Sequence, residues 1–145
     1  YLDEPNFVDI KHAVRLRTQD HILRAGASIG KNERLIKRIS FVKRKEPMNR
    51  AEFCQYWKEI HGPIALHLPG LLRYVQCHTL PSMYIDGEPP FDGAAQVWFS
   101  DLAAMNRAFA SEAYLKEARP DGAKFIAPDG VMSLIVEENR VVWPE

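Results

Sequence analysis

Residues 50–78 read RAEFCQYWKEIHGPIALHLPGLLRYVQCH, and this stretch limits what the chain can fold into more than any other. Up to His61 the large apolar residues Phe53, Tyr56, Trp57 and Ile60 recur at helical spacing, so they form one stripe of an amphipathic helix. His61 comes four residues after Trp57, which sets its ring on the same stripe, and Gly62-Pro63 loosens the helix immediately beyond it. A titratable ring that faces a core beside a helix break is a candidate pocket residue. Pro69-Gly70 then makes a turn, and residues 71–80 alternate as a strand does.

Other elements follow on either side. Residues 35–43 form a strand with Ile39 and Phe41 on one face and Arg38, Ser40 and Val42 on the other. Asn49, with Glu52 three residues on, is the N-cap of the main helix. Residues 81–93 hold three prolines and two glycines, too many for a regular element, and suit a long connection over one end of a cavity. In residues 94–100, Ala95, Val97 and Phe99 alternate with Gln96 and Trp98 as a third strand. Asp101 caps a second helix with the stripe Leu102, Met105 and Phe109, and Tyr114 lies beyond. Residues 121–130 read as a loop with at most a short helical turn, and 131–142 as the last strand. The order β-α-β-β-α-β predicts an α+β fold, a ferredoxin-like unit with one antiparallel sheet and helices on one of its faces. The other face carries Val, Tyr, Leu and Trp positions that a monomer would leave wet, so a second sheet should cover it.

The first residues look like the end of a strand unit. Laying Phe7-Val8-Asp9-Ile10 on Phe125-Ile126-Ala127-Pro128 aligns residues 13–21 with 131–139, so an internal repeat is expected, with 13–21 an extra N-terminal strand paired to a sheet edge and the whole a tandem pair of units. Residues 25–31, AGASIGK, read as a linker and lack the second glycine and the Ser or Thr of a phosphate loop. The expected partition is 1–31 for strand and linker and 32–145 for the main unit.

With 145 residues the chain can bury one good core. Its 46% apolar and 26% charged residues are ordinary for a globular protein. No apolar run approaches the ~18 residues of a membrane span and no signal-peptide pattern opens the sequence, so a cytoplasmic protein with no membrane partner is expected. Cys54 and Cys77 have neither a CxxC partner nor a zinc spacing, which argues for reduced thiols and no metal. Net charge is zero, yet residues 1–50 hold 12 Lys and Arg against 6 Asp and Glu, and the remainder 7 against 13. The basic residues are spread through strand and loop without an aromatic platform, so no nucleic-acid partner is expected.

The words YWKEIHGPIALHLPGLLRYVQ, preceded by FVKRKEPMNRAEF and followed by GAAQVWFSDLAAMNRAF and a closing VEENRVV, resemble the EthD family over about residues 35–143. The resemblance implies a dimeric α+β barrel, in which the open sheet face meets a second sheet in a homodimer or pseudo-dimer. It also places a matching histidine at His61, which some members are thought to use on a substrate in the cavity. It does not fix a reaction.

His61 is therefore the candidate catalytic residue, a general acid or base near neutral pH; the plainer alternative is a core histidine that holds the HGP turn. Tyr56, Trp57, Tyr74, Cys77, Trp98 and Phe99 are candidate substrate-binding residues, although each could be plain core. Cys77 and His78 are strand neighbours on opposite faces and cannot pair as nucleophile and base. His67 with His61 has no recognised metal spacing, and Glu59 and Asp92 read as solvated. The reading is an enzyme with no cofactor that isomerises, dehydrates or cyclises a small carbonyl-bearing compound. The alternative is a non-catalytic binding or accessory protein that holds a hydrophobic ligand in the same cavity.

Overall fold

The computed structural model describes residues 6–28, 30 and 33–138. Its strands are β1 (Thr18–Arg24), β2 (Ile36–Arg44), β3 (Arg73–Thr79), β4 (Gly93–Phe99) and β5 (Ile126–Glu137), joined as one antiparallel sheet in the order β1-β3-β4-β2-β5. The four strands from β2 to β5, with their two helical crossovers, make the ferredoxin-like unit, and β1 extends it along the β3 edge. The fold is thus α+β with an extra N-terminal strand, as the sequence predicts.

The first crossover is α1 (Arg50–Tyr56), a wide π-helical turn (Trp57–His61) and α2 (Gly62–Ala65) in one continuous run. Asn49 caps α1 in a capping box with Glu52: each side chain accepts from the other residue's backbone N–H. The second crossover is α3 (Leu102–Phe109), capped by Asp101, then a second π-turn (Ala113–Ala118) that runs into α4 (Arg119–Phe125).

Strand parity decides what each residue meets. On the helix side, Tyr74, Val97 and Phe99 pack against Ala65, Leu68, Ala104, Met105 and Ala108, and Val42 packs against Phe53, Trp57 and Phe125. On the open side lie Ile39, Phe41 and Val75, half-buried, with Leu134 of β5 about half exposed and Ile22 of β1 66% exposed. Tyr74 is buried under the helices, so it is not one of the wet positions that the sequence reading assigned to the open face.

Several boundaries differ from the sequence reading for identifiable reasons. Ile60 leaves the predicted stripe and is half exposed, because a turn closed five residues on carries each residue through a smaller angle than an α-turn does. Leu102, the first residue of α3, is likewise exposed, and Ala104 and Ala108 take its place beside Met105. Residues 121–125 are helical, since the π-turn runs straight through Pro120 into α4, and β5 starts at once at Ile126. The expected end of that strand, residues 139–142, falls outside the described residues. The edge strand begins at Thr18 and not at residue 13, so an offset of 118 lays only Thr18 and Gln19 on the last residues of β5.

The connection over residues 81–93 opens with a short 3₁₀ turn (Pro81–Tyr84) and does not close the cavity described below. It is anchored by Asp92, which is fully buried and not solvated as its sequence context suggested. The Asp92 carboxylate accepts from the Arg44 backbone N–H at 2.8 Å, from the Arg44 guanidinium and from the Tyr84 hydroxyl at 2.6 Å. Glu88 bridges Arg44 and Lys43 from outside, and those hydrogen bonds hold its carboxyl down to about 2.

Candidate active site

A cavity of about 370 Å³ lies between the helix-side face of the sheet and the two crossovers. The two π-turns flank it, contributing Trp57 and His61 from one and Tyr114 and Ala118 from the other. The first wide turn is fixed at both ends. The Trp57 carbonyl accepts from the Gly62 N–H and also, at 2.9 Å, from the buried Gln76 side chain. A Cβ on Gly62 would come within 2.7 Å of Leu23 Cδ1 and 3.2 Å of Gln76 Nε2, so a larger residue here would have to push both side chains aside. The Trp57 indole lies over Gly93, where a Cβ would come within 2.6 Å of its ring, and stacks on His78 at 4.7 Å.

His61 reaches the cavity wall with its side chain 13% exposed. Its Nδ1 is 2.9 Å from Oδ2 of Asp121, a carboxylate only 4% exposed on α4. The carboxylate can only accept, so Nδ1 carries the hydrogen and Nε2 is left with a lone pair. Asp121 also accepts from the Tyr56 hydroxyl at 2.7 Å and from Lys124 Nζ at 3.1 Å. Burial alone would raise the Asp121 carboxyl, but the bonds from Tyr56, His61 and Lys124 together bring it below its ordinary value. Burial pushes His61 below 6.5, more than the pull of Asp121 raises it, and it pushes the Tyr56 phenol up. Near pH 7 the site therefore holds an ionised Asp121 and a neutral His61 oriented by it.

The rest of the lining is mostly apolar, with Val42, Ala65, Leu68, Ala95 and Val97 among it. Tyr74 contributes a hydroxyl that accepts from Gln76 Nε2 at 2.9 Å, and burial pushes its phenol up to about 12. Since Gln76 Nε2 donates to both Trp57 and Tyr74, Gln76 Oε1 accepts from His78 Nε2–H at 3.0 Å. His78 is held down to about 3 by burial and by His21, Lys58 and Arg50 nearby, so it supports this network as a neutral ring.

Of the candidate substrate-binding residues, Trp57 and Tyr74 line the cavity. Tyr56 stands behind it and acts on Asp121, and Phe99 lies one layer deeper, fully buried edge-on to Phe109. Cys77 and Trp98 do not reach it. Both lie on the other side of the sheet, where the Cys77 sulfur accepts from Gln96 and burial pushes its thiol up to about 11. Trp98 donates there to Glu138 at 2.6 Å under the Lys37 ammonium. Trp98 and Phe99 are adjacent, so a strand cannot turn both to one cavity. His67 is an exposed surface residue 3.5 Å from Glu117 and does not approach His61 as a ligand partner. Asp121 escaped the sequence reading; the pair Pro120-Asp121, a proline and an acid suited to a first helical turn, was the available signal.

No functionally characterised protein is significantly similar to the chain in sequence. Among solved structures, an EthD family protein from Bacillus halodurans is 21% identical, with a TM-score of 0.59 over 72% of this chain and 99% of that one. A dimeric protein of unknown function and ferredoxin-like fold from Bacteroides fragilis is 12% identical, with a TM-score of 0.51 over 73% and 96%. A cofactor-independent oxygenase from Streptomyces nogalater, SnoaB, is 18% identical, with a TM-score of 0.46 over 78% and 99%. The profile of the EthD domain matches residues 45–129, which run from the end of β2 through both crossovers and include His61 and Asp121, and the chain belongs to the EthD domain family.

Proposed function

We propose that this cavity belongs to a small-molecule enzyme without a bound cofactor, in which His61 moves a proton on a carbonyl-bearing compound. The observation that carries the reading is the pairing of His61 Nδ1 with buried Asp121, which leaves Nε2 to the cavity as a base. Nε2 removes a proton from the carbon beside the carbonyl, and Asp121 stabilises the imidazolium that results. Tyr74, whose oxygen already accepts from Gln76, keeps its own hydrogen to donate to the enolate oxygen. Return of the proton to another carbon completes an isomerisation; its delivery to a departing hydroxyl completes a dehydration.

His61→Ala is expected to lower turnover by about 10²- to 10⁴-fold while ligand affinity stays within a few fold. Equal losses in both would make His61 a packing residue. The mostly apolar lining also favours a second reading, a protein that only holds a hydrophobic ligand. It prevails if the wild-type protein binds carbonyl compounds and exchanges none of their carbon-bound hydrogen with solvent.

We further propose that a second copy covers the open sheet face. Ile22, Met132 and Leu134 stand there 66%, 43% and 48% exposed beside Ile39 and Phe41, apolar side chains on one face of the kind that a partner covers. Sedimentation velocity at micromolar concentration should give a dimer, and Leu134→Glu should shift it toward monomer. A compact wild-type monomer would overturn the assignment.

A further inference from the structure

We propose that the compound taken by this cavity is an anion, held by a carboxylate group on Arg38 at the end away from His61. This rests on the reading of the cavity as the functional site and names the chemical class it accepts. Arg38, on the helix side of β2, lines the cavity. Its guanidinium is fixed from two sides, lying 4.4 Å over the Phe109 ring and donating through Nη2 to the Ser133 hydroxyl at 3.2 Å. Ser133 is held in turn by Ser40, 3.0 Å away on the paired strand. Yet Arg38 Nε is buried and has no hydrogen-bond partner, alone in this among the side-chain polar atoms of the described residues.

A buried donor on a permanent cation is costly to leave unmade, and a guanidinium fork is built to meet a carboxylate with two parallel bonds. The charge around it agrees. The lining residues include Arg38 and Arg119 and no aspartate or glutamate, and Arg119 makes no ion pair among the described residues. Arg119 is exposed and hydrated, so the unmet donor is that of Arg38, which a neutral ligand without an acceptor at this end would leave unanswered.

The distances set the shape of the ligand. Arg38 lies four residues along β2 from Val42, which packs against Trp57 at the His61 end. At about 3.3 Å per residue the Cα atoms of Arg38 and Val42 stand roughly 13 Å apart, and the Arg38 guanidinium and the His61 ring both reach into the cavity and shorten that span. A linker of a few apolar carbons therefore joins the carboxylate on Arg38 to the carbonyl that His61 works on, along a wall that is mostly apolar between them.

The test uses the full chain with 4-benzoylbutyrate, which carries a ketone and a remote carboxylate, and its primary amide. Calorimetry should show the acid binding at least about tenfold more tightly than the amide at neutral pH, and the ¹⁵N–¹H signal of Arg38 Nε should move with the acid alone. In Arg38→Gln the preference should vanish, and in Arg38→Lys, which keeps the charge but loses the fork, it should fall. His61→Gln should leave it intact. Equal affinity of wild-type protein for acid and amide overturns the proposal even if Arg38→Gln fails to fold, as does a preference that survives in a folded Arg38→Gln protein. Deuterium uptake beside the ketone separates the two readings. Arg38-dependent binding of the acid without uptake upholds the anion site and removes the proton-transfer reading; uptake from the amide as ready as from the acid does the reverse.

Discussion

Asp92→Ala is expected to destabilise the folded chain by about 3–5 kcal/mol, the ordinary cost of removing one partner from a buried ion pair. Asp92 is wholly buried, and the Arg44 side chain that it pairs with is only 15% exposed. The loss also strips acceptors from the Tyr84 hydroxyl and the Arg44 backbone N–H. Around the same residue, the Asp92 N–H donates to Val42 and its carbonyl accepts from Thr79, so β2, β3 and the start of β4 are tied at one point. Against a total stability on the order of 5–15 kcal/mol, the melting midpoint should fall by roughly 10–20 °C. Asp92→Asn, which retains one acceptor oxygen, should fall between. Arg44→Met with Asp92→Leu should recover part of the loss, because it removes both charges together. Thermal and urea unfolding measure all three. An Asp92→Ala protein as stable as wild type would mean that the pair contributes nothing to the fold.

Asp121→Asn should lower the rate of proton transfer by about 10²- to 10⁴-fold with little change in ligand affinity, because the amide cannot offset the charge of an imidazolium. Its pH profile distinguishes this role from simple support. Burial holds His61 below 6.5 in the native chain, so kcat/KM should rise with pH through a midpoint below 6.5 and then level. The Asp121 carboxylate pulls this value up through its hydrogen bond and its charge. Removing it should move the acid limb to still lower pH while the plateau drops. An acid limb that stays in place or moves upward would show that the carboxylate does not act on His61. The same depression affects folding: below pH 6.5 the unfolded chain takes up the His61 proton more readily than the folded one, so this group's contribution to stability is lost as pH falls.

The elements that the sequence shows well are those fixed by neighbours within a few residues. Asn49 with Glu52, Asp101, and the alternation in β2 and β4 all lie where local chemistry places them. His61 was legible as a cavity residue for the same reason. Its partner was not, since Asp121 is 60 residues away and sits in a segment whose proline, aspartate and glycine look like loop. The misplacement of Cys77 and Trp98 has another cause. Alternation tells which strand residues share a face, but only the packing of the helices tells which face holds the cavity. Asp92 looked solvated because its context is rich in turn residues, while the cations that bury it come from a strand 48 residues earlier. Arg38 is hidden in the same way: from the sequence its parity was plain, and only the cavity shows that its guanidinium is short of a partner.

The wide turn from Trp57 to His61 bears on how this chain can change over generations. Phe53 and Trp57 are packed on one side of it, and Gly62 is pressed against Leu23 and Gln76 on the other. Loss of a single codon between them would let the helix close with ordinary α hydrogen bonds, and everything downstream would swing by about 100° around the axis. His61 would leave the cavity, or Trp57 would leave Gly93. The exposed Lys58, Glu59 and Ile60 can be exchanged one at a time, but the residue count of the turn cannot drift in the way that an exposed loop tolerates, because the two flanking anchors hold only one phase of the helix.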